Sequence, residues 1–152
     1  MVGNLLITEE LMGKTGIEWD PREYEVERGM IKRFAQAIDD QNPLWQDEEY
    51  AHKSKYGSII APPTFITILG FDQLMEEILT LASFRTILHG KTELECYQPI
   101  RPREIISVTT KITDIRQRQG KVGKVVFITF DTTYKNQRQE LVAKCQQMVI
   151  GY

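Results

Sequence analysis

The sequence has few cysteines and few histidines, which limits the chemistry that it can carry. Its 152 residues include two of each. Neither Cys96 nor Cys145 has a second cysteine or a histidine at the spacing of metal ligands, so we expect no metal site and no disulfide framework. Both fall in strand-like segments, where a free cysteine packs as a small buried apolar residue. This usage fits a reducing, cytoplasmic setting.

Long apolar runs and an excess of one charge are also missing. No stretch of about 18 apolar residues occurs, so we expect no membrane span. The first residues, MVGNLLITEELMGKTG, lack a basic start followed by a long apolar run, so we expect no signal peptide. A formal charge of −2 does not indicate a positively charged surface for binding nucleic acid or an anionic membrane. Length and composition predict one globular domain over residues 1–152.

Helical periodicity is present in the first half of the chain. Apolar side chains recur every three to four positions in residues 27–38, which predicts an amphipathic helix. Asp39 and Asp40 end this helix, because Asn42 precedes a proline and is pushed out of the α region. A short helix is predicted around residues 47–53.

Residues 61–82 form the most apolar segment and predict a second long helix, covered nearly all round as far as Leu69. Pro62 or Pro63 suits its first turn, where a missing N–H costs nothing. Gly70 is expected to separate a buried half from an exposed half.

Beyond Thr86 the apolar period changes to two, which is typical of strands. The alternation predicts an antiparallel sheet of about four strands here, with one more near Tyr24. Residues 116–124 and 135–140 carry Gly, Asn and charge and are predicted as hairpin loops. A sheet that buries one face on a central apolar helix is an α+β hot-dog arrangement. One such unit leaves a sheet edge exposed, so we expect a dimer.

Three segments together resemble a known family. They are YEVERGMIKRFAQAIDDQNPLWQDEEYA, IIAPPTF and LHGKTELECYQPIRPRE. In combination they are similar to the MaoC-like acyl dehydratases. Within these they resemble the FAS1-like branch, which includes substrate-binding subunits of 3-hydroxyacyl-ACP dehydratase heterodimers. The resemblance covers about residues 5–150 and implies a hot-dog fold. It also implies a CoA or acyl-carrier-protein thioester as substrate, no cofactor, and R-specific addition of water to a 2-enoyl thioester.

Catalytic members of this family use the pattern D-x-N-P-x-H. Asp40 takes the Asp position here, with Asn42 and Pro43 in register, but the His position is Trp45. Hydration needs one group that activates water and one that protonates carbon. An indole has only an N–H donor, so Trp45 cannot act as acid or base. Asp40 is therefore either half of a catalytic pair or a turn residue that bonds the Asn-Pro corner. Trp45 is either a core or dimer-interface aromatic, or a pocket wall that narrows the acyl site or stacks on part of the ligand.

Other candidates for substrate binding are weaker. Thr64 and Thr67 follow two prolines at a helix start, whose N–H groups can polarise a thioester oxygen. The hydroxyl of either threonine is a candidate for positioning the ligand or Asp40. His89 and Gly90 lie at the entrance of the strand that supplies the oxyanion N–H in catalytic relatives, and Gly90 or Lys91 would be nearest to that role. For each of these residues the alternative is a purely structural role in the helix start or the strand. The basic segment 116–124 is either a contact for CoA phosphates or a solvated loop.

Three functions are compatible with these residues. The first is a subunit of an R-specific enoyl-thioester hydratase or 3-hydroxyacyl-thioester dehydratase, working as a homodimer or with a MaoC-type chain that supplies the Asp/His pair. The second is a non-enzymatic acyl-thioester scaffold. The third is a hot-dog thioesterase in which Asp40 or Glu48 activates water, and the D-x-N-P and A-P-P-T-F patterns make it the least favoured.

Overall fold

The computed structural model describes residues 7–121 and 123–152, and only the backbone of Leu81. Residues 1–6 and Val122 lie outside the described residues. Residues 1–6 include part of the segment for which we expect no signal peptide, and the start of the predicted domain. Among the described residues, no helix is long and apolar enough to cross a membrane. The helices are α1 (Glu9–Gly13), α2 (Arg28–Ala37), α3 (Glu48–Lys53) and α4 (Phe71–Leu81), with 3-10 helices at Pro43–Trp45 and Pro63–Ile68. The strands are β1 (Arg22–Glu25), β2 (Ile87–Cys96), β3 (Ile105–Gly120), β4 (Gly123–Lys135) and β5 (Leu141–Gly151).

The five strands form one antiparallel sheet in the order β1-β3-β4-β5-β2. The predicted α+β hot-dog arrangement is confirmed, including the strand near Tyr24. Backbone bonds from Gly16 and Trp19 to β3 cover the edge beside β1. The opposite edge is β2, whose ten residues are mostly exposed. Among the described residues, the sheet therefore has one short edge beside covering backbone bonds and one long edge, β2, that pairs with no further strand.

The prediction of a single helix over residues 61–82 is wrong. The chain forms the 3-10 helix Pro63–Ile68, breaks at Gly70 and continues as α4. Gly70 has a φ of 85°, and a Cβ there would lie 2.7 Å from Val108 Cγ1. The break predicted at Gly70 is confirmed, and both its left-handed backbone and its close approach to β3 require glycine. Ile68 is exposed, so the first half is not covered all round.

The prediction of a loop over residues 116–124 is also wrong, because strand β3 continues to Gly120 and β4 begins at Gly123. Charged residues occupy this end of the hairpin because it projects beyond the core and is exposed on both faces. The predicted loop 135–140 is close to the turn between Lys135 and Leu141, which Asn136 stabilises by accepting backbone bonds from Arg138 and Glu140.

The core consists of two clusters on one face of the sheet. The first lies under α2 and the two 3-10 helices, and the second lies under α1 and α4. Between them the inner face carries Thr110 and Thr132, which are buried and hydrogen-bonded to each other at 3.0 Å. Cys145 is buried in the first cluster, as predicted, whereas Cys96 is exposed, contrary to prediction, because it ends the open edge strand β2.

Helix α4 is tied to the edge of the sheet by polar contacts. Arg22 of β1 pairs with Asp72 at 3.2 Å and with Glu76 at 2.6 Å. The Tyr24 hydroxyl donates to Asp72 at 2.6 Å. Burial, followed by this hydrogen bond, raises the pKa of Tyr24 to about 12. These contacts fix the exposed face of α4 while Leu74 and Ile78 pack into the second cluster.

Candidate functional site

The acidic corner begins where α2 ends. Asp39 has a φ of 53°, its N–H donates to Gln36 O, and the Asp40 N–H donates to Ala35 O. This pair of bonds around a left-handed residue is a Schellman motif, which satisfies the last carbonyls of a helix. The prediction that Asp39 ends the helix is confirmed. The motif also directs the chain so that Asp40 is the first residue of the corner.

The Asp40 side chain is used within the corner. Its Oδ1 accepts the Asn42 N–H at 3.0 Å, and Asn42 Oδ1 in turn accepts the Leu44 N–H at 3.0 Å. The Gln46 side chain donates to the Asp40 carbonyl at 3.2 Å. These bonds shape the turn and start the 3-10 helix Pro43–Trp45. The Asx-type role predicted for Asp40 is confirmed. Its carboxylate borders a polar surface cleft of about 470 Å³ together with Asp39 and Asp47.

Trp45 points away from that cleft and into the protein. It is 7% exposed and belongs to the first core cluster, which also contains Phe65 and Ile66. Its indole Nε1–H has no hydrogen-bond partner among the described residues. The interpretation as a core aromatic is confirmed. The large side chain fits a polar sequence segment because the 3-10 turn directs it inward while its neighbours remain at the surface.

Thr64 and Thr67 lie on the 3-10 helix Pro63–Ile68. Thr64 is exposed, and the Thr67 hydroxyl donates to the Thr64 carbonyl at 2.8 Å. This helix has six residues, so it supplies a weaker N-terminal dipole than the long helix that the sequence predicted. The bond between Thr67 and Thr64 is local and stabilises the turn. Their assignment as substrate-binding residues stays a prediction.

His89 and Gly90 lie in the open edge strand β2. The His89 ring is hydrogen-bonded to the Thr92 hydroxyl, with 2.8 Å between Nε2 and Oγ1. A β-bulge falls between His89 and Lys91, and a Cβ at Gly90 would approach Met148 Cε to 2.9 Å. A larger residue here would displace the flexible end of the Met148 side chain and press on Ile150, so glycine allows close packing on β5. A role of either residue in binding substrate stays a prediction.

The predicted site residues fall into three separate groups. Asp40, Asn42 and Trp45 share one corner, the two threonines share a turn, and His89 with Gly90 share the edge strand. Within the described parts of the chain, no hydrogen bond joins one group to another. The other histidine, His52, is exposed on α3. The catalytic assignment of Asp40 and the assignment of Asn42 and Trp45 to substrate binding stay predictions.

Sequence reasoning missed an apolar cleft of about 220 Å³. It lies where the segment before the Pro63–Ile68 helix meets the end of β2 and the start of β5. Its walls include Tyr56, Pro63, Ile66, Cys96 and Val142. The signal was present in the sequence as two apolar, proline-containing stretches, IIAPP and YQPI. Nothing in their spacing, however, showed that they meet.

Two features determine the shape and the polarity of this cleft. The Arg101 guanidinium donates to Ser58 Oγ at 3.2 Å and to Tyr56 O at 3.1 Å, which holds the Tyr56 loop against the wall. Partial burial raises the pKa of the Cys96 thiol, so the thiol is protonated at neutral pH. Cys96 is then a neutral wall residue and not an activated nucleophile. The cleft suits a short apolar chain.

Comparison with known proteins agrees with this architecture. Residues 14–145 match the family described as "FAS1-like, dehydratase domain region". A protein of Thermobifida fusca called "UPF0336 protein" is 36% identical over 103 residues, covering 66% of this chain and 68% of that protein. A "Probable enoyl-CoA hydratase alpha subunit" of Thermomonospora curvata is 28% identical over 130 residues, covering 75% of this chain and 41% of that protein.

Among solved structures, the chain is similar to one from the C-terminally truncated HadBC (3R-hydroxyacyl-ACP dehydratase) complex of Mycobacterium tuberculosis. The TM-score is 0.78 at 22% identity, covering 91% of this chain and 97% of that one. This likeness shows a shared hot-dog fold. Because the family match spans most of the chain, the protein belongs to the FAS1-like dehydratase family.

Proposed function

We propose that this chain is a subunit of an R-specific enoyl-thioester hydratase or 3-hydroxyacyl-thioester dehydratase. In this proposal it binds the acyl part of a CoA or acyl-carrier-protein thioester while a MaoC-type partner chain supplies the Asp/His pair. One observation carries the proposal: Trp45 stands at the position of the family histidine and is buried in the core.

The chemistry explains why a partner is needed. In hydration, a base removes a proton from water, the oxygen bonds to C3 of the enoyl thioester, and an acid delivers a proton to C2. Within this chain Asp40 is engaged with the Asn42 amide, and Trp45 has no group that titrates. The two-chain composition named for the HadBC complex and the alpha-subunit designation of the Thermomonospora relative support a division of labour. No cofactor is required for this reaction.

The apolar cleft beside Cys96 is the proposed site of the acyl chain. Its volume lies below the range of roughly 300–1,000 Å³ that is typical of small-molecule pockets, which favours a short chain. The low cysteine content favours a reducing, cytoplasmic setting for this function.

Activity assays test the division of labour. The purified chain is mixed with crotonyl-CoA and the enoyl absorbance is followed, first alone and then after co-expression with a MaoC-type chain that carries D-x-N-P-x-H. We expect no loss of absorbance from the lone chain and rapid loss from the complex. Robust turnover by the lone chain would overturn the proposal. Release of free CoA would instead identify a thioesterase.

Binding measurements test the site. Cys96→Phe fills the cleft, whereas Cys96→Ser keeps its size. We expect the phenylalanine variant to lose affinity for crotonyl-CoA in calorimetry and the serine variant to keep it. Equal binding by both variants would place the acyl chain elsewhere.

A second candidate is a non-enzymatic acyl-thioester scaffold. The structural use of the Asp40 carboxylate and the packing of Trp45 favour it as the alternative, because neither residue is held ready for proton transfer. It predicts binding of crotonyl-CoA with no turnover, even in the presence of the MaoC-type chain.

A further inference from the structure

The Tyr56 loop, residues 54–58, lies between two clefts. On one side, Tyr56 lines the apolar cleft beside Cys96. On the other side, Gly57 and Ser58 line a polar cleft of about 970 Å³, which also borders α3 and the start of α2. The loop is therefore a partition, and a displacement of the loop into the polar cleft would widen the apolar one.

Apolar packing fixes the chain after the loop more firmly than the loop itself. Ile59 and Ile60 are buried in the first core cluster. Within the loop, Lys55 and Gly57 are exposed, and Tyr56 is only half-buried against the same cluster. Few buried apolar contacts make a segment easy to displace locally. The position of the loop therefore depends strongly on the polar contacts that reach it from other elements.

Arg101 makes two of these contacts with one group. Its Nε donates to Ser58 Oγ at 3.2 Å, and its Nη2 donates to the Tyr56 carbonyl at 3.1 Å. The guanidinium is planar, so these donors form a rigid fork that spans both acceptors. His52 adds a longer contact, with 3.3 Å between its Nδ1 and the Gly57 carbonyl oxygen. The fork of Arg101 is thus the main polar latch of the Tyr56 loop.

The latch is itself held in place. The Arg101 N–H donates to Glu104 Oε2 at 2.8 Å, and the Glu104 N–H donates back to the Arg101 carbonyl at 3.3 Å. Pro102 further restricts the backbone of Arg101, which precedes it. Both acceptors of the guanidinium are neutral oxygens. The contact therefore depends on the geometry of the fork, which a lysine does not reproduce although it keeps the charge.

We propose that Arg101 is a positioning residue that limits the length of the acyl chain, because it holds Tyr56 as a wall of the apolar cleft. This inference rests on the proposed function, since it concerns chain length within the same acyl site. The latched cleft of about 220 Å³ suits a short chain. When the latch is broken, the loop can retreat into the polar cleft, and a longer acyl chain then gains apolar contacts.

Binding of saturated thioesters tests the limit, because these ligands cannot be hydrated. Dissociation constants of butyryl-CoA and octanoyl-CoA are measured by calorimetry. Each methylene that enters an apolar cleft should raise affinity roughly fourfold. We expect wild type to bind the two ligands about equally, since the additional methylenes find no room. Arg101→Lys should bind octanoyl-CoA at least about tenfold more tightly than butyryl-CoA, as expected if two of the four methylenes gain contact.

Two further variants separate the wall from the charge. Arg103→Lys is the matched control, because Arg103 is exposed, borders the same polar cleft, and has no hydrogen bond to the loop among the described residues. It should keep the wild-type preference. Tyr56→Ala removes the wall directly and should favour octanoyl-CoA as Arg101→Lys does. Combining Tyr56→Ala with Arg101→Lys should add little, because both act through the same side chain.

Limited proteolysis tests the latch without any ligand. Lys55 is exposed within the loop, so cleavage by trypsin after this residue reports local opening of the loop. Mass spectrometry identifies the cleavage site and measures its rate. Arg101→Lys should be cut after Lys55 several times faster than wild type, and Arg103→Lys at the wild-type rate.

The outcomes distinguish this inference from the proposed function. Equal preferences of wild type and Arg101→Lys, or a wild-type rate of cleavage in that variant, would overturn the inference and leave the acyl site in place. If neither thioester binds to wild type, the acyl site is refuted, and the inference with it. An equal gain for octanoyl-CoA in Arg103→Lys would show that charge, and not the loop, sets the preference.

Circular dichroism identifies any variant that fails to fold. If Arg101→Lys does, Ser58→Ala replaces it, because this change removes one of the two acceptors of the fork. It should shift the preference towards octanoyl-CoA in the same direction but by less. An unchanged preference in Ser58→Ala would then contradict the inference.

Discussion

The carboxylate of Asp40 accepts a hydrogen bond from the backbone amide of Asn42, with 3.0 Å between Asp40 Oδ1 and Asn42 N. This bond turns the chain into the Asn-Pro corner. Asp40, which aligns with a catalytic carboxylate of related enzymes, therefore stabilises a turn in this chain. Substitutions that change charge and geometry independently can separate this structural role from the predicted catalytic role.

Asp40→Asn keeps an oxygen acceptor and should leave the free energy of unfolding within about 0.5 kcal/mol of wild type. Asp40→Ala loses the bond and should cost about 1 kcal/mol. Urea denaturation of both variants measures the difference. If the asparagine variant is stable but the complex with the MaoC-type chain becomes inactive, Asp40 is a catalytic group and the division of labour is wrong.

Trp45 allows a second matched comparison. Trp45→Phe keeps an apolar ring and removes a buried N–H that has no partner among the described residues, so its cost should stay near 1 kcal/mol. Trp45→His restores the family residue but leaves space in the core and buries a polar ring, and it should cost about 3 kcal/mol.

Chemical denaturation measures both Trp45 variants. The histidine variant should gain no hydratase activity in the lone chain, because Trp45 faces the core and the Asp40 carboxylate borders a different, polar cleft. Equal stability of the two variants would show that residue 45 has polar surroundings.

Tyr24 predicts a dependence of stability on alkaline pH. Its folded pKa of about 12 exceeds the ordinary value of 10.0, first because of burial and then because of the bond to Asp72, so the fold is more stable with the neutral hydroxyl than with the ionised one. This contribution is fully present below pH 10 and is lost as the pH rises from 10 towards 12. Tyr24→Phe should therefore be less stable than wild type by about 1 kcal/mol at pH 7. The difference should shrink by pH 11.5, and a constant gap in urea denaturation across this range would contradict the assignment.

Gly70 tests the break before α4. Gly70→Ala introduces a Cβ at positive φ and against Val108, and it should cost at least about 2 kcal/mol. Adding Val108→Ala relieves the contact but leaves the backbone strain, so a thermal or urea measurement should show partial recovery. Full recovery would mean that φ at Gly70 carries no strain.

Much of the fold could be predicted from periodicity, because most of β3, β4 and β5 buries one face and the period of two persists in their sequence. The end of the β3–β4 hairpin could not. There both faces are exposed, so no alternation distinguishes Arg116 to Lys121 from a loop. The break at Gly70 was expected, but the 3-10 geometry before it was not, since apolar content does not differ between a 3-10 and an α-helix.

Only the part of the candidate site that depends on contacts local in sequence could be predicted. The Asp39–Asp40 corner rests on contacts between residues close in sequence, and such contacts can be read from the order of residues. The apolar cleft depends on the meeting of residues near 60, 97 and 142, which is set by strand register. The exposure of Cys96 likewise follows from the place of β2 at the edge of the sheet, which no local pattern encodes.

The hydrogen-bonded pair Thr110 and Thr132 divides the core into two apolar clusters. Packing forces act over contact distances, so a displacement in one cluster reaches the other mainly through this polar row and the strands that carry it. A substitution in one cluster should therefore disturb the packing of its own cluster more than that of the other.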